Sequence, residues 1–552
     1  MMREEPGEAG LPAGKAVIMS TMIDESTNRT QDDSWFESQI VKAGAQIQRL
    51  FPCPISTALL TCILCAELIL LASGALHKHF WYDELFTLYL AQIRPFSSFL
   101  EVMTSGVDPM TTVFMGLMYS AAALPVDPHL ALRLPSILGY LLAILGVFLF
   151  VRKRYGGTTA IVAVLLVCLS PLRPYGIEAR PYAMLTGFLA MAAACWQRRG
   201  ETRAATPFLY LFFLLGVSVH YYGVLAIGCL AAAEAVYVAG KRKLRWAVWI
   251  LLMASAGLVA AQLPIAYKSQ LMYGKFNWAK AGLTTLLSTY STYVGMDLNM
   301  GVVALVLASL IFPVHLMRRL RADGDLGASR RGFTAPEMAL AYAFLLFPAA
   351  LVLVTIAAGS GYTPRYGWPA ILGLAFLAAI LFDTVKSRHI SFAVFAALLL
   401  AFGAQEAKDT LKATGLMAPR HARPHNDTSS LARIAKQYPD YPLVLADGHL
   451  YLETAHYSTA PFKNRLTQLT NSKEARRATG TDTVETANVQ LAHIVPLNIQ
   501  DGNLFLAKHR AFILQSSRSR REWVTAYLIE NGYKLRLVSV GNGDLIYFVE
   551  SK

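Results

Sequence analysis

Residues 110–124 read MTTVFMGLMYSAAAL, an apolar run of fifteen residues. That is short for a bilayer-crossing helix, which takes about 20 apolar residues. If the run crosses, every later loop changes sides; if it lies in the interface or re-enters on the outer side, none does. Longer apolar runs flank it, near 55–76, 131–151, 158–174, 181–197, 206–221, 223–239, 246–266, 300–317, 337–357, 368–386 and 390–404. Lys and Arg collect on the cytoplasmic side of such chains, so their distribution decides between the two cases. With 110–124 left out of the count, one set of alternate loops holds Arg152, Lys153 and Arg154; Arg198, Arg199 and Arg203; Lys241, Arg242, Lys243 and Arg245; five arginines between Arg318 and Arg331; and Lys386 and Arg388. Those are seventeen basic residues, against nine in the opposite loops. The expected fold class is therefore an all-α polytopic membrane domain of eleven transmembrane helices, followed by a small α/β soluble domain. Its N-terminus is inside and its C-terminus outside.

The composition agrees. Of 552 residues, 55% are hydrophobic and 16% charged, with a mean hydropathy of +0.40; soluble domains carry about 25% charged residues. An ordinary soluble enzyme, a disordered chain and a disulfide scaffold are all excluded. The formal charge of +14 sits mostly in the cytoplasmic loops. It is a topology signal rather than an aromatic-interleaved basic patch, and no nucleic-acid partner is expected. Cys62 and Cys65 form a C-x-x-C inside the run ISTALLTCILCAELILLASGAL (55–76), without a second pair. They read as small apolar helix residues, not as a zinc or redox pair.

Three regions follow. Residues 1–54 are polar and read as a disordered cytoplasmic tail. Residues 55–405 form the multi-span domain, with a long first outer loop at 77–130. Residues 406–552 are an extracytoplasmic α/β domain: PLVLAD (442–447) and the terminal FVES read as strands, REWVTAYLIENGYKL as a helix closed by Asn531-Gly532, and GNGD (541–544) as a hairpin turn. This tail carries no nucleophile elbow, P-loop or metal spacing, and its His449 and His456 read as surface or core residues.

With the direction fixed, the unusual polar residues sort to one face. The first outer loop opens with HKHFWYDELFTLYL, holding Asp83 and Glu84 among aromatics, and reaches Asp108 before the short run. ALRLPS places Arg133, IEARPYAM places Glu178, Arg180 and Tyr182, VHYYG places His220 and Tyr221, and GYTPRYGW places Arg365 and Tyr366. Ionisable residues at membrane depth are expensive and mark sites or pathways. A carboxylate can take a proton from an acceptor hydroxyl, arginines clamp phosphate, and aromatics suit a sugar or lipid headgroup. Together they suggest group transfer from a lipid phosphate. Each residue also has a plainer reading. Asp83 or Glu84 could cap the helix that follows, Arg133 and Arg365 could snorkel to lipid phosphates, and Glu178 could simply pair with Arg180. His220 reads as a hydrogen-bonded helix-end histidine before it reads as a ligand. Glu67 and Glu234, inside spans, must be paired.

These stretches, FWYDELFT, ALRLPSILGYLLAILGVFLF, YGIEARPYAML and PRYGWPAILGLAFL, resemble the C-type (GT-C) membrane glycosyltransferases over residues 55–405. The nearest branch is the bacterial relatives of the protein O-mannosyltransferases and the lipid A aminoarabinose transferase. The resemblance implies a polyprenyl-phosphate-linked sugar as donor, an acceptor that is a glycan, a lipid or a protein, and a bacterial inner membrane. It implies that Asp83, with Glu84 beside it, takes the place of the catalytic acid of the first outer loop. Arg180 and Arg365 match the arginines that hold the donor phosphate. Arg133 and Tyr366 are expected to help bind the donor lipid, and Asp108, Glu178, Tyr182, His220 and Tyr221 to contact substrate. Some members bind a divalent metal through an outer-loop carboxylate, and Asp83, Glu84 or Asp108 would hold it here. The sequence departs from the family in one stretch. A His-Pro-Pro-type segment usual before the short run is replaced by Asp108-Pro109-Met110-Thr111-Thr112. Two rival classes are a transporter or flippase of lipid-linked sugars, for which no internal repeat is visible, and a non-catalytic scaffold. A scaffold predicts no shared cavity for Asp83, Arg180 and Arg365.

Overall fold

A computed structural model describes residues 54–274, 279, 281–294, 332–413, 430–517, 522–541 and 544–551. The tail up to residue 53, the expected span at 300–317, the Arg318–Arg331 cluster, Lys275 and Lys280 lie outside the described residues. The chain divides into two compact units, Met1–Ile63 and Leu64–Lys552. In the first, the described residues form the start of helix α1 (Ile55–His77). The second holds everything below.

Ten of the eleven expected runs carry a helix, and the eleventh lies outside the described residues. They are α1, α5 (Pro128–Tyr155), α6 (Gly157–Leu169), α7 (Tyr182–Arg198), α8 (Ala205–Ser218), α9 (Leu225–Lys241), α10 (Trp246–Tyr273), the pair α12 (Ala335–Leu345) and α13 (Phe347–Ala358), α14 (Ala370–Thr384) and α15 (Arg388–Ala413). Among the described residues five helices are long and apolar enough to cross a membrane. Joining α12 and α13, bent by 50° at their junction, adds a sixth. The chain is an integral membrane protein. Helices α6, α8 and α14 hold only 13–15 residues, or about 20 Å at 1.5 Å per residue. They are shorter than the hydrocarbon core of about 30 Å, and the irregular segments that extend them can persist at membrane depth only where protein covers them.

The run that opened the reading forms α4 (Thr112–Ala121), ten residues capped by the Thr111 hydroxyl. At about 15 Å it cannot span. It buries Phe114, Met115 and Met118 and packs against α2 (Tyr82–Ala91); α3 (Phe96–Ser105) lies between the two in sequence.

Without a hydrophobic drive between helices in lipid, close packing must come from small residues. Helices α5 and α7 show this. A Cβ on Gly187 would meet the Gly139 carbonyl oxygen at 1.8 Å, and one on Gly146 would meet the Ala190 backbone at 2.5 Å. This contact fixes the start of α7, where the Ser136 hydroxyl donates to the Arg180 carbonyl (3.0 Å). Glu67 and Glu234 are paired as expected. Glu67 accepts from Arg173 (2.8 Å), which also meets Glu406 and Asp409 of α15; Glu234 accepts from Arg245 and Trp196.

The C-terminal region holds a six-stranded sheet in the order β3-β2-β1-β4-β6-β5. Its strands are β1 (Leu443–Leu445), β2 (Leu466–Thr470), β3 (Ile499–Asp501), β4 (Ala511–Ser517), β5 (Lys534–Val540) and β6 (Asp544–Glu550). The first four are parallel, and β4-β6-β5 are antiparallel. The expected strand at 442–447 is β1. The expected hairpin appears as the β5–β6 pairing, with Gly541 N–H donating to the Asp544 carbonyl; residues 542–543 lie outside the described residues. The helix expected near 523 runs Trp523–Glu530 and ends at Asn531-Gly532, where Gly532 takes φ +74°, a value glycine adopts at little strain. The domain rests on the first loop. Tyr82 donates its hydroxyl to Asn488 (2.9 Å), and the Tyr89 hydroxyl shares a hydrogen bond of 2.9 Å with Nδ1 of His456, whose pKa burial lowers to about 4, keeping the ring neutral. Tyr457 accepts from the Phe80 N–H (2.6 Å).

Candidate active site

The ends of α1, α6, α8, α10 and α13 meet the starts of α2, α7, α9, α11 (Leu283–Val294) and α14 at one end of the bundle. A cavity of about 320 Å³ opens there, within the range of ligand sites. Its charged lining is Asp83, Asp108, Arg180 and Arg365; its aromatic lining is Trp81, Tyr82, Phe86, Tyr273 and Tyr366.

Asp83 stands in the first turn of α2. Its Oδ2 lies 3.2 Å from an Arg365 terminal nitrogen and 3.6 Å from one of Arg180. Neither approach makes a well-directed hydrogen bond. Among the described residues, buried Asp83 Oδ2, Asp108 Oδ2, Arg180 Nε, Arg365 Nε and Tyr182 Oη find no hydrogen-bond partner. Buried polar atoms are nearly always satisfied by protein or ordered water, so the four orphans on lining residues Asp83, Asp108, Arg180 and Arg365 mark the cavity as a place for water or a polar ligand. Burial alone would lower the pKa of Arg180, yet Asp83 and Tyr182 hold it above its ordinary value, and the same neighbours act on Arg365. Both remain cations. Arg365 sits among the rings of Trp81 and Tyr182, each 5.6 Å from its guanidinium carbon. Asp108 accepts from the Met110 N–H (2.9 Å). Burial pushes its carboxyl up to about 6 despite the pull of Arg180.

The structure brings Asp83, Asp108, Arg180, Arg365 and Tyr366 together, with Tyr182 just behind Arg365. It places the other candidates elsewhere. Glu84 and Arg133 are fully buried and bonded to each other through two contacts of 2.8 Å. Glu84 also accepts from the Ala179 N–H, and Arg133 donates to the carbonyls of Ala75, Lys78 and His79. All their capacity is spent on joining α1, α2, α5 and the start of α7, so neither side chain, expected to act in catalysis or donor-lipid binding, is among those that line the cavity. Glu178 pairs with Lys78 (3.1 Å), not Arg180, and lies outside the cavity lining. His220 is a helix-end histidine: its Nδ1 accepts from the Tyr222 N–H (3.2 Å) and its ring lies 5.1 Å from that of Tyr366, tilted by 50°. Tyr221 reaches the Met110 carbonyl (3.5 Å), supporting the Asp108 loop instead of lining the cavity.

Sequence reasoning missed Tyr273, whose hydroxyl donates to the Val107 carbonyl (2.7 Å), because it ends an apolar run like any interfacial tyrosine. It also missed His449, Thr483, Val484 and Ala487 of the α/β domain, which complete the wall. No motif there singled them out.

Among the described residues no three His, Cys, Asp or Glu side chains gather to hold a metal ion. Asp83, the carboxylate best placed for one, already faces two guanidiniums. The donor set does not fit a metal, and no step below passes through one.

Scanning family models finds none that matches the chain, and a search of curated proteins finds no match either. Solved structures do match. The membrane domain and its trailing α/β domain together are the GT-C fold. Specifically, the chain is similar to ArnT from Cupriavidus metallidurans in the apo state, at 14% identity and a TM-score of 0.51, covering 88% of this chain and 97% of that one. It is similar to the same protein bound to undecaprenyl phosphate, at 14% identity and a TM-score of 0.50, covering 89% and 97%.

Proposed function

We propose that this protein is a membrane glycosyltransferase that moves a sugar from a polyprenyl-phosphate carrier to an acceptor hydroxyl. The observation that carries it is the cavity where buried Arg180 and half-buried Arg365, each with an unspent Nε–H, flank the Asp83 Oδ2 at 3.6 and 3.2 Å without a directed hydrogen bond. The convergence of Asp83, Arg180 and Arg365 argues against a scaffold. The likeness to ArnT bound to undecaprenyl phosphate supports a lipid phosphate as the donor carrier. We place the cavity on the extracytoplasmic face of a bacterial inner membrane, as the basic loops and the resemblance suggest.

In the reaction the acceptor oxygen attacks the anomeric carbon, its proton passes to Asp83, and the bond from carbon to phosphate oxygen breaks. The departing polyprenyl phosphate leaves with the bonding electrons, and Arg180 and Arg365 hold its charge. A single displacement inverts the anomeric centre. Before the donor binds, both arginines lean on Asp83. A phosphate with better hydrogen-bond geometry draws them off and leaves the carboxylate to act as base, so donor binding precedes acceptor activation.

Two tests follow. Arg365→Ala weakens undecaprenyl phosphate binding by about 10- to 100-fold, as expected for a lost charge-assisted hydrogen bond of roughly 1.5–3 kcal/mol, without lowering the melting temperature. Affinity measured in nanodiscs reads this, and wild-type affinity in the variant would remove Arg365 from the donor site. The second concerns pH. Below about 6 Asp108 is protonated and neutral; above it the carboxylate repels a phosphate nearby. A phosphodiester lipid, which does not itself titrate there, binds about tenfold more tightly below pH 6 than above it, as expected for one unit charge roughly 12 Å away at an effective dielectric near 20. Asp108→Asn flattens the profile at the tight-binding level, and an unchanged profile in that variant would exclude Asp108 as the titrating group.

A further inference from the structure

Four cavity residues belong to the α/β domain: His449, Thr483, Val484 and Ala487. His449 is the second residue of α16 (Gly448–Tyr457), the helix that follows β1. Asp447 caps that helix. Its Oδ1 accepts from the His449 backbone N–H (2.9 Å) and lies 3.1 Å from the ring Nδ1. A carboxylate partner sets the tautomer with the proton on Nδ1, which leaves Nε2 a lone pair that can accept from a hydroxyl. The ring stands edge-on to Tyr82 at 4.6 Å, and Tyr82 is itself held by Asn488. The location follows from the sheet. Strand β1 pairs with β2 on one side and β4 on the other, so its carboxyl end is a point where the strand order reverses. Open α/β sheets bind ligands at that point, and here it faces the membrane-domain cavity.

Charge divides the cavity. Both guanidiniums of the lining, Arg180 and Arg365, are in the membrane half, together with Asp83 and Asp108. Among the described residues, those that line the domain half include no lysine or arginine, and carboxylates stand behind them. Asp447 holds His449. Asp482 is paired with Arg476 (2.7 Å). Glu485, in the first turn of α17 (Thr483–Ala492), has its pKa raised by burial and then by Asp482 and Asp447 despite the pull of His449. An anionic group would be drawn to the arginines and repelled from this half. An uncharged sugar would meet an imidazole lone pair, the Thr483 hydroxyl and the faces of Trp81 and Tyr82.

We infer that the α/β domain forms the acceptor half of the cavity, that His449 is a specificity-determining residue there, and that the group it receives is an uncharged sugar hydroxyl rather than a phosphorylated one. The terms donor and acceptor rest on the transferase reading above. The test uses full-length protein in nanodiscs with three probes: methyl pyranosides of the common hexoses, glucose 6-phosphate, and undecaprenyl phosphate. Saturation-transfer NMR is expected to show at least one methyl pyranoside bound to the wild type. Glucose 6-phosphate should give no signal once undecaprenyl phosphate fills the arginine side. His449→Ala should cut the pyranoside signal at least fivefold, and His449→Asn, which still presents a hydrogen-bonding group, should restore part of it. Both variants should keep wild-type melting temperature and undecaprenyl phosphate affinity, which separates a binding role from a structural one. Equal pyranoside binding by His449→Ala, glucose 6-phosphate bound in the domain half, or no pyranoside bound at all would each overturn the inference. Failure of the wild type to bind undecaprenyl phosphate would instead sink the donor assignment while a His449-dependent pyranoside signal still stood.

Discussion

Replacing Asp83 with Asn lowers sugar transfer by about 100- to 10,000-fold, the range a positioned general base contributes, and leaves the protein folded and inserted. The change is nearly isosteric and removes the proton acceptor. It also removes the negative charge that Arg180 and Arg365 share at 3.6 and 3.2 Å. The two guanidiniums are then free for phosphate, so undecaprenyl phosphate binding holds or tightens while turnover collapses. That opposition distinguishes loss of the base from general damage, which would weaken both. Turnover and lipid binding measured on one preparation read it out; undiminished turnover would strip Asp83 of its role.

The second large effect is structural. Glu84→Ala or Arg133→Ala should remove most folded protein from the membrane, because breaking a buried ion pair costs about 3–5 kcal/mol by stranding the remaining charge. Arg133 would leave three backbone carbonyls without a donor as well. A double replacement, Glu84→Leu with Arg133→Met, strands no charge and should recover part of the yield, since apolar replacements of buried pairs are often tolerated. Yield and melting temperature on size-exclusion chromatography decide it. If Glu84→Ala folds normally and loses only turnover, Glu84 is catalytic after all. Adjacent acids in one motif thus have opposite fates: Asp83 faces the cavity, and Glu84, about 100° further round the helix, faces the core.

Much of the fold was legible because its signals are long. Apolar runs and the placement of basic residues located the helices and left 110–124 out of the set of spans, and α4 is too short to span. The convergence of Asp83, Asp108, Arg180 and Arg365 was legible because charged residues at membrane depth need a reason. Three things were hidden. The partner of Arg133 depends on helix phase across four segments, and no local pattern records it. Glu178 found Lys78 because Arg180, two residues on, turns to Asp83 and Thr87. Strands β2 and β4 escaped because parallel strands buried on both faces lose the alternation that marks a strand. With them went the sheet order that puts His449 at the cavity.

The most direct test of the central proposal is mass spectrometry of polyprenyl-phosphate-linked sugars in source cells lacking this protein. Wild-type gene should reverse any change and the Asp83→Asn gene should not. A lipid-phosphate-dependent transferase predicts that one such sugar species accumulates in the deletion and Asp83→Asn cells, and that an envelope component loses the mass of the same sugar. An unchanged profile of lipid-linked sugars, or full reversal by Asp83→Asn, would contradict it.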